Sequence, residues 1–157
     1  MLKRFAIVFA CLAFPALAAA TSFSLTDMQG RTHTLEGHRG KWVLVNLWAT
    51  WCAPCLVEMP ELESLSKSRD DLVVLGLAID GQNQSRIRQF ADRLGVTYPI
   101  IAGNQELARP FRPRAFPTSI LYNPSGLQVL YKEGIVTRDE IERVLTIERP
   151  LIKTMAR

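Results

Sequence analysis

Residues 48–60 read Trp48-Ala49-Thr50-Trp51-Cys52-Ala53-Pro54-Cys55-Leu56-Val57-Glu58-Met59-Pro60. Behind this stretch, residues 42–48 form a nearly continuous apolar run, which suits a strand covered on both faces. Asn46 is its one polar member. Ahead of it, Leu56, Met59, Leu62 and Leu65 recur at helical spacing and predict a helix over about residues 55–68. Cys52 then lies at or just before the first turn of that helix. Backbone N–H groups there lack intrahelical partners, and the helix dipole favours negative charge. A thiolate is favoured at such a place, and the thiolate is the reactive form of cysteine. Cys55 falls one turn further on, on the same side. It can close a disulfide with Cys52 or attack one that Cys52 has made, so the pair points to redox chemistry. Glu58, three residues after Cys55, belongs to the same helix side. Pro60 removes a donor inside the helix and predicts a kink.

The length of 157 residues suits one domain with a core of ordinary size. A hydrophobic share of 48% and a charged share of 22% are those of a globular protein. The net charge is +4; removing the two charges of Lys3 and Arg4 leaves +2. No basic run or arginine–aromatic pattern points to nucleic acid. Lys3 and Arg4 precede an apolar run over residues 5–14, then Pro15 and the small residues 16–20. This is the pattern of a secretory signal peptide over residues 1–20, cleaved near Ala20, with the mature domain at 21–157. The run is short for a transmembrane span, which needs about 20 residues; an uncleaved membrane anchor is the rival reading. Cleavage removes Cys11 and leaves Cys52 and Cys55 as the only cysteines of a periplasmic or otherwise exported protein. A pair so close in sequence restrains little of the unfolded chain and makes a poor staple.

Along the chain, Phe23 and Leu25 alternate weakly with polar neighbours, as do Thr32 and Thr34, which predicts a small hairpin around residues 28–31. His33 on that hairpin and His38 in the following loop read as solvated side chains. Residues 72–80 form a second buried-type strand. Residues 85–94 make an amphipathic helix that Gly95 ends. Residues 98–101 are extended, and residues 105–111 suit a helical turn or two. A strand over 118–122, a turn at Asn123-Pro124-Ser125-Gly126 and a returning strand over 127–132 make a hairpin. Thr137-Arg138-Asp139-Glu140 is a capping box that opens a last helix. Pro150 is expected to end or bend it, with a loose tail to Arg157. The order β-β-β-α-β-α-β-(α)-β-β-α predicts an α/β fold: parallel pairing in the middle of a mixed central sheet, antiparallel strands at one edge, helices on both faces and a short N-terminal hairpin.

At Trp51-Cys52-Ala53-Pro54-Cys55 the sequence resembles the thioredoxin superfamily. Pro60, the Phe116-Pro117-Thr118 loop and the turn at residues 123–126 leading to Gly134 extend the likeness over roughly residues 23–145. Val45-Asn46-Leu47-Trp48-Ala49-Thr50-Trp51-Cys52 and Glu58-Met59-Pro60 are most similar to the TlpA/ResA-type branch of exported thiol-disulfide oxidoreductases. The resemblance implies a thioredoxin-like fold and a catalytic Cys52 nucleophile resolved by Cys55. Cytosolic thioredoxins usually carry Asp where Asn46 stands, as proton acceptor for the second cysteine. Asn cannot take that proton, and the resemblance gives the role to Glu58. It also implies a cis bond before Pro117, leaving the Phe116 backbone free to pair with an extended client segment. Trp51, Phe116, Pro117 and Thr118 are thus the candidate substrate-binding residues, with Asn46 and Pro54 supporting the cysteines.

The implied chemistry needs no cofactor beyond the redox-active Cys52–Cys55 disulfide, and no metal. Ala53 adds no donor or charge and Pro54 removes an N–H, so the Cys52 thiolate is stabilised modestly and the pair reads as reducing. The resemblance implies client proteins with disulfides, cytochrome c maturation or a similar thiol reduction among the possible tasks, a membrane thiol donor and a monomer. Two other readings of the motif stay open: a disulfide oxidant or isomerase, and a copper-binding assembly module. The second lacks the later histidine such modules use, since none follows His38. Arg112-Pro113-Arg114 departs from the milder residues usual before the proline loop and reads as a solvated basic loop.

Overall fold

Seven consecutive buried residues, Trp42–Trp48, form the middle strand of a five-stranded sheet. The computed structural model describes residues 22–81 and 83–155. The expected signal peptide and its cleavage site therefore lie outside the described residues. In chain order the elements are β1 (Ser24–Thr26), β2 (Thr32–Thr34), a 3-10 turn (Glu36–His38), β3 (Trp42–Trp48), α1 (Ala53–Ser68), β4 (Leu72–Ala78), α2 (Gln84–Arg93), β5 (Ile100–Ala102), α3 (Gln105–Ala108) with a 3-10 turn (Arg109–Phe111), β6 (Thr118–Tyr122), β7 (Gln128–Glu133) and α4 (Arg138–Met155).

The sheet runs β5-β4-β3-β6-β7. β3 pairs parallel with β4, and β4 with β5; β6 and β7 are antiparallel. Parallel partners need crossovers, which α1 and α2 supply. Asn46 of β3 and Ser119 of β6 point at α1, where both meet Glu58. Tyr122, three positions on in β6, faces the other way. There its ring packs 5.9 Å from Phe23, which lies 5.8 Å from Phe111. The hairpin β1–β2 and the Arg109–Phe111 turn thus cover one face while α1 and α4 cover the other. This is the mixed α/β architecture expected from the element order, and the thioredoxin-like fold that the resemblance implies.

Three expectations need correction. The active-site helix starts at Ala53, not Cys55, and Cys52 is its N-cap. Pro54 explains the difference, because its missing N–H costs nothing in a first helical turn. Secondly, the expected loose tail is helical as far as Met155, because α4 continues through Pro150. A proline deletes one donor, and a helix can pass it without terminating. Thirdly, His33 is not solvated: it is 8% exposed. Its Nε2 lies 2.9 Å from Asp27 Oδ2 and its Nδ1 lies 3.1 Å from His38 Nε2. Asp27 is itself buried, and its Oδ1 caps the hairpin turn by accepting from the Gln29 and Arg31 N–H groups, both at 2.9 Å. A short hairpin lying on a core face buries polar groups that period-2 reading assigns to water.

Candidate active site

Cys52 and Cys55 are joined by a disulfide, with S–S 2.09 Å and Cα–Cα 5.4 Å. β3 delivers the chain to the end of the sheet. Ala49 to Trp51 turn it, and α1 begins at once, so both sulfurs sit at a helix N-terminus. The turn is anchored from the neighbouring strand. Asp80 accepts from the Thr50 N–H at 2.9 and 3.1 Å and from the Thr50 hydroxyl at 2.6 Å. Sequence reasoning missed Asp80. The signal was the register: Trp48 pairs with Ala78 in parallel, so positions two beyond each strand end lie side by side.

Cys55 is fully buried and Cys52 nearly so, while Trp51 next to them is 63% exposed. The Trp51 ring stands edge-on to Phe116, centroids 6.0 Å apart at 89°. The Phe116–Pro117 peptide bond is cis. The loop is fixed from both ends: Gly134 N–H donates to the Pro117 carbonyl at 2.8 Å, and the Thr118 hydroxyl to the Ala115 carbonyl at 2.6 Å. Thr118 is buried at the start of β6. Its hydroxyl is committed to the loop, whereas Trp51 is exposed and Phe116 half-buried. Among the described residues nothing hydrogen-bonds the Phe116 backbone.

Glu58 lies one helical turn beyond Cys55 and is 1% exposed. Its Oε1 accepts from Asn46 Nδ2 and, at 3.4 Å, from Ser119 Oγ; its Oε2 accepts from the Val136 N–H at 2.7 Å. Gly134, at φ 84°, turns the chain after β7 so that Val136 can reach inward. Burial pushes the Glu58 carboxyl up to about 7, against the opposing pull of Val136, Asn46 and Ser119; the charge of Glu140 adds to the rise. Of the predicted residues, Cys52 and Cys55 are joined by the disulfide, and Asn46 bonds Glu58, which stands one helical turn from Cys55. Ser119 and Val136 were missed, because sheet register and a distant loop place them there.

A thioredoxin-like sheet with a disulfide at the start of its first long helix, beside a cis-proline loop, defines the thiol-disulfide exchange class. The chain belongs to the AhpC/TSA family, whose pattern matches residues 17–127. It is 34% identical over 135 residues to the thiol-disulfide oxidoreductase ResA of Geobacillus kaustophilus, covering 85% of this chain and 78% of that one. A thiol:disulfide interchange protein of the thioredoxin family from Chlorobium tepidum is 25% identical, with TM-score 0.70, over 80% of this chain and 92% of that one. The exposed lipoprotein thioredoxin of Streptococcus pneumoniae is 26% identical, with TM-score 0.66, over 80% and 98%. This chain is a thiol-disulfide oxidoreductase. No described helix is long and apolar enough to cross a membrane.

Proposed function

We propose that the protein is an exported disulfide reductase that works through the Cys52–Cys55 dithiol. The observation that carries this reading is the buried Glu58 carboxyl, poised near neutrality one turn from the buried Cys55. Cys52 thiolate attacks a client disulfide, forming the Cys52–client bond and releasing one client thiolate. Cys55 then gives its proton to the Glu58 carboxylate and attacks Cys52 Sγ. The mixed disulfide breaks, the second client thiolate leaves, and the proton on Glu58 passes on to it. Two electrons have moved to the client and the enzyme holds its disulfide. A buried thiol cannot lose its proton to water readily, so an acceptor with a pKa near the working pH suits this step.

Trp51, Phe116 and Pro117 make the client-binding edge. The free Phe116 backbone pairs with an extended client strand, and Thr118 holds the loop. Asn46 supports Glu58, and Pro54 limits the donors facing Cys52. No cofactor or metal enters these steps. A membrane thiol carrier returns the protein to the dithiol state, and disulfide-bearing clients, such as those of cytochrome c maturation, consume its electrons. The domain spans residues 21–157 and works as a monomer. Export to the periplasm or an equivalent compartment is supported by residues 1–20 and by the likeness to an exposed lipoprotein. The segment is cleaved near Ala20; retention as an anchor is the alternative.

The reduction potential of the Cys52–Cys55 pair against glutathione tests the direction. A value near or below about −250 mV supports a reductase; one above about −180 mV makes the protein an oxidant or isomerase. Cys55→Ala tests the roles: it traps client mixed disulfides on Cys52, and failure to trap any rules out Cys52 as nucleophile.

A further inference from the structure

Beside the cis-proline loop lies an open cleft of about 740 Å³, lined by Gln105, Glu106, Arg109, Arg112, Arg114 and Phe116 among others. All three arginines are exposed, and none forms an ion pair among the described residues. One carboxylate, Glu106, also lines the cleft. Glu133, near Arg114 but outside the lining, accepts from the Arg114 N–H at 3.2 Å and the Tyr131 hydroxyl at 3.0 Å. The arginines sit on a defined loop. Arg112 holds φ 51°, a conformation residues with a Cβ avoid, and its carbonyl accepts from the Tyr131 hydroxyl at 2.8 Å.

The cleft ends at Phe116, one residue before the cis-proline and in contact with Trp51. A client strand that pairs with the Phe116 backbone and continues past it enters this cleft, which carries side chains flanking the client cysteine toward the arginines. Guanidinium groups bind carboxylates as planar forks, so the occupant matching this charge is an acidic segment. We propose that the cleft docks acidic polypeptide flanking the client disulfide, and that Arg109, Arg112 and Arg114 set client specificity. This rests on the reading of Phe116 as a client strand partner.

The test uses three disulfide-bonded peptides that differ only in Asp, Asn or Lys at the flanking positions. Wild type is expected to prefer the Asp over the Lys peptide about fivefold or more in kcat/KM at low salt, as three exposed charge pairs would give. The preference fades toward about 0.5 M salt. It disappears in R109Q/R112Q/R114Q and persists in R109K/R112K/R114K. Because the ratio is taken within one variant, a general loss of activity cancels. Equal turnover of all three peptides by wild type overturns the proposal. Tryptophan fluorescence titrated with a cysteine-free acidic peptide reads docking without electron transfer. If no peptide is reduced but this titration responds, and weakens in the Gln variant, the reductase reading fails while the docking site stands. No response overturns the docking site. So does binding of phosphatidylglycerol vesicles that needs the arginines while acidic peptides show no effect; the cleft is then a lipid-facing surface.

Discussion

Asn46 donates its side-chain N–H to Glu58, while its own Oδ1 is buried with no partner among the described residues. The amide can answer either protonation state of the carboxyl. Ionised Glu58 accepts from Nδ2; a protonated Glu58 can donate its O–H to Oδ1 once the amide turns over. Asn at this position thus accommodates a proton that it cannot itself take.

The first prediction concerns Glu58 and stability. Its folded pKa is raised from 4.5 to about 7 by burial, so the native state binds more protons than the unfolded state between those values. Stability therefore falls as pH rises through that window, by about 3 kcal/mol in all. In Glu58→Gln the side-chain N–H can donate to Asn46 Oδ1 while the oxygen accepts from Val136. Urea midpoints of the oxidised proteins are expected to diverge in favour of Gln as pH rises from about 4.5 to 7, and to stay parallel above it. A constant difference would show that the Glu58 pKa is not raised.

The second prediction is kinetic. Asn46→Asp places a second carboxyl against Glu58, and two buried carboxylates in contact do not both ionise near neutrality. The pair then holds a proton to higher pH. Stopped-flow release of a preformed Cys52 mixed disulfide is expected to slow about tenfold at pH 7 and to recover in alkali, one pH unit being one decade. An unchanged pH profile would detach Asn46 from the resolving step.

The third prediction concerns Asp80, which holds the turn before Trp51 through Thr50. Asp80→Ala removes the side-chain acceptor of three bonds and is expected to cost about 1–2 kcal/mol. It also frees Trp51 to rotate, which fluorescence anisotropy of the reduced protein reads. No change in either would make the Asp80 contact incidental.

Elements that bury whole runs of side chains are legible in the chain. Thr118–Tyr122 and Trp42–Trp48 emerge with the bounds that their hydrophobic content suggests. Cys52 and Cys55 stand out by their place at a strand-to-helix junction, whereas the role of Glu58 rests on helical spacing together with the family resemblance. Asp80, Ser119 and Val136 do not stand out, because sheet register and a glycine turn carry them to the site from 28, 67 and 84 positions beyond Cys52. His33 misleads for a related reason. Its strand is three residues long, too short for alternation to reveal which face is covered.

The buried Asp27 gives the last prediction, with the opposite sign to Glu58. Burial raises its pKa, but the His33 bond, the Arg31 contacts and the Gln29 N–H outweigh it and bring the carboxyl down to about 2. A carboxyl depressed from 3.8 contributes stability that is fully present above about pH 4 and is lost as pH falls through about 2. The contribution is about 2 kcal/mol. Asp27→Asn is expected to cost that much at pH 7 and progressively less toward pH 2. Glu58 erodes stability as pH rises above about 4.5 and Asp27 as it falls below about 4, while the lowered carboxyls of Glu63 and Glu140 and the lowered imidazole of His38 add losses toward acid. Urea titrations of wild type, Asp27→Asn and Glu58→Gln at pH 2.5, 4.5 and 7.5 separate the two limbs. In Asp27→Asn the acid limb flattens and the neutral limb stays. In Glu58→Gln the reverse holds. A variant that flattens both would mean that the hairpin and the active site unfold as one titrating unit.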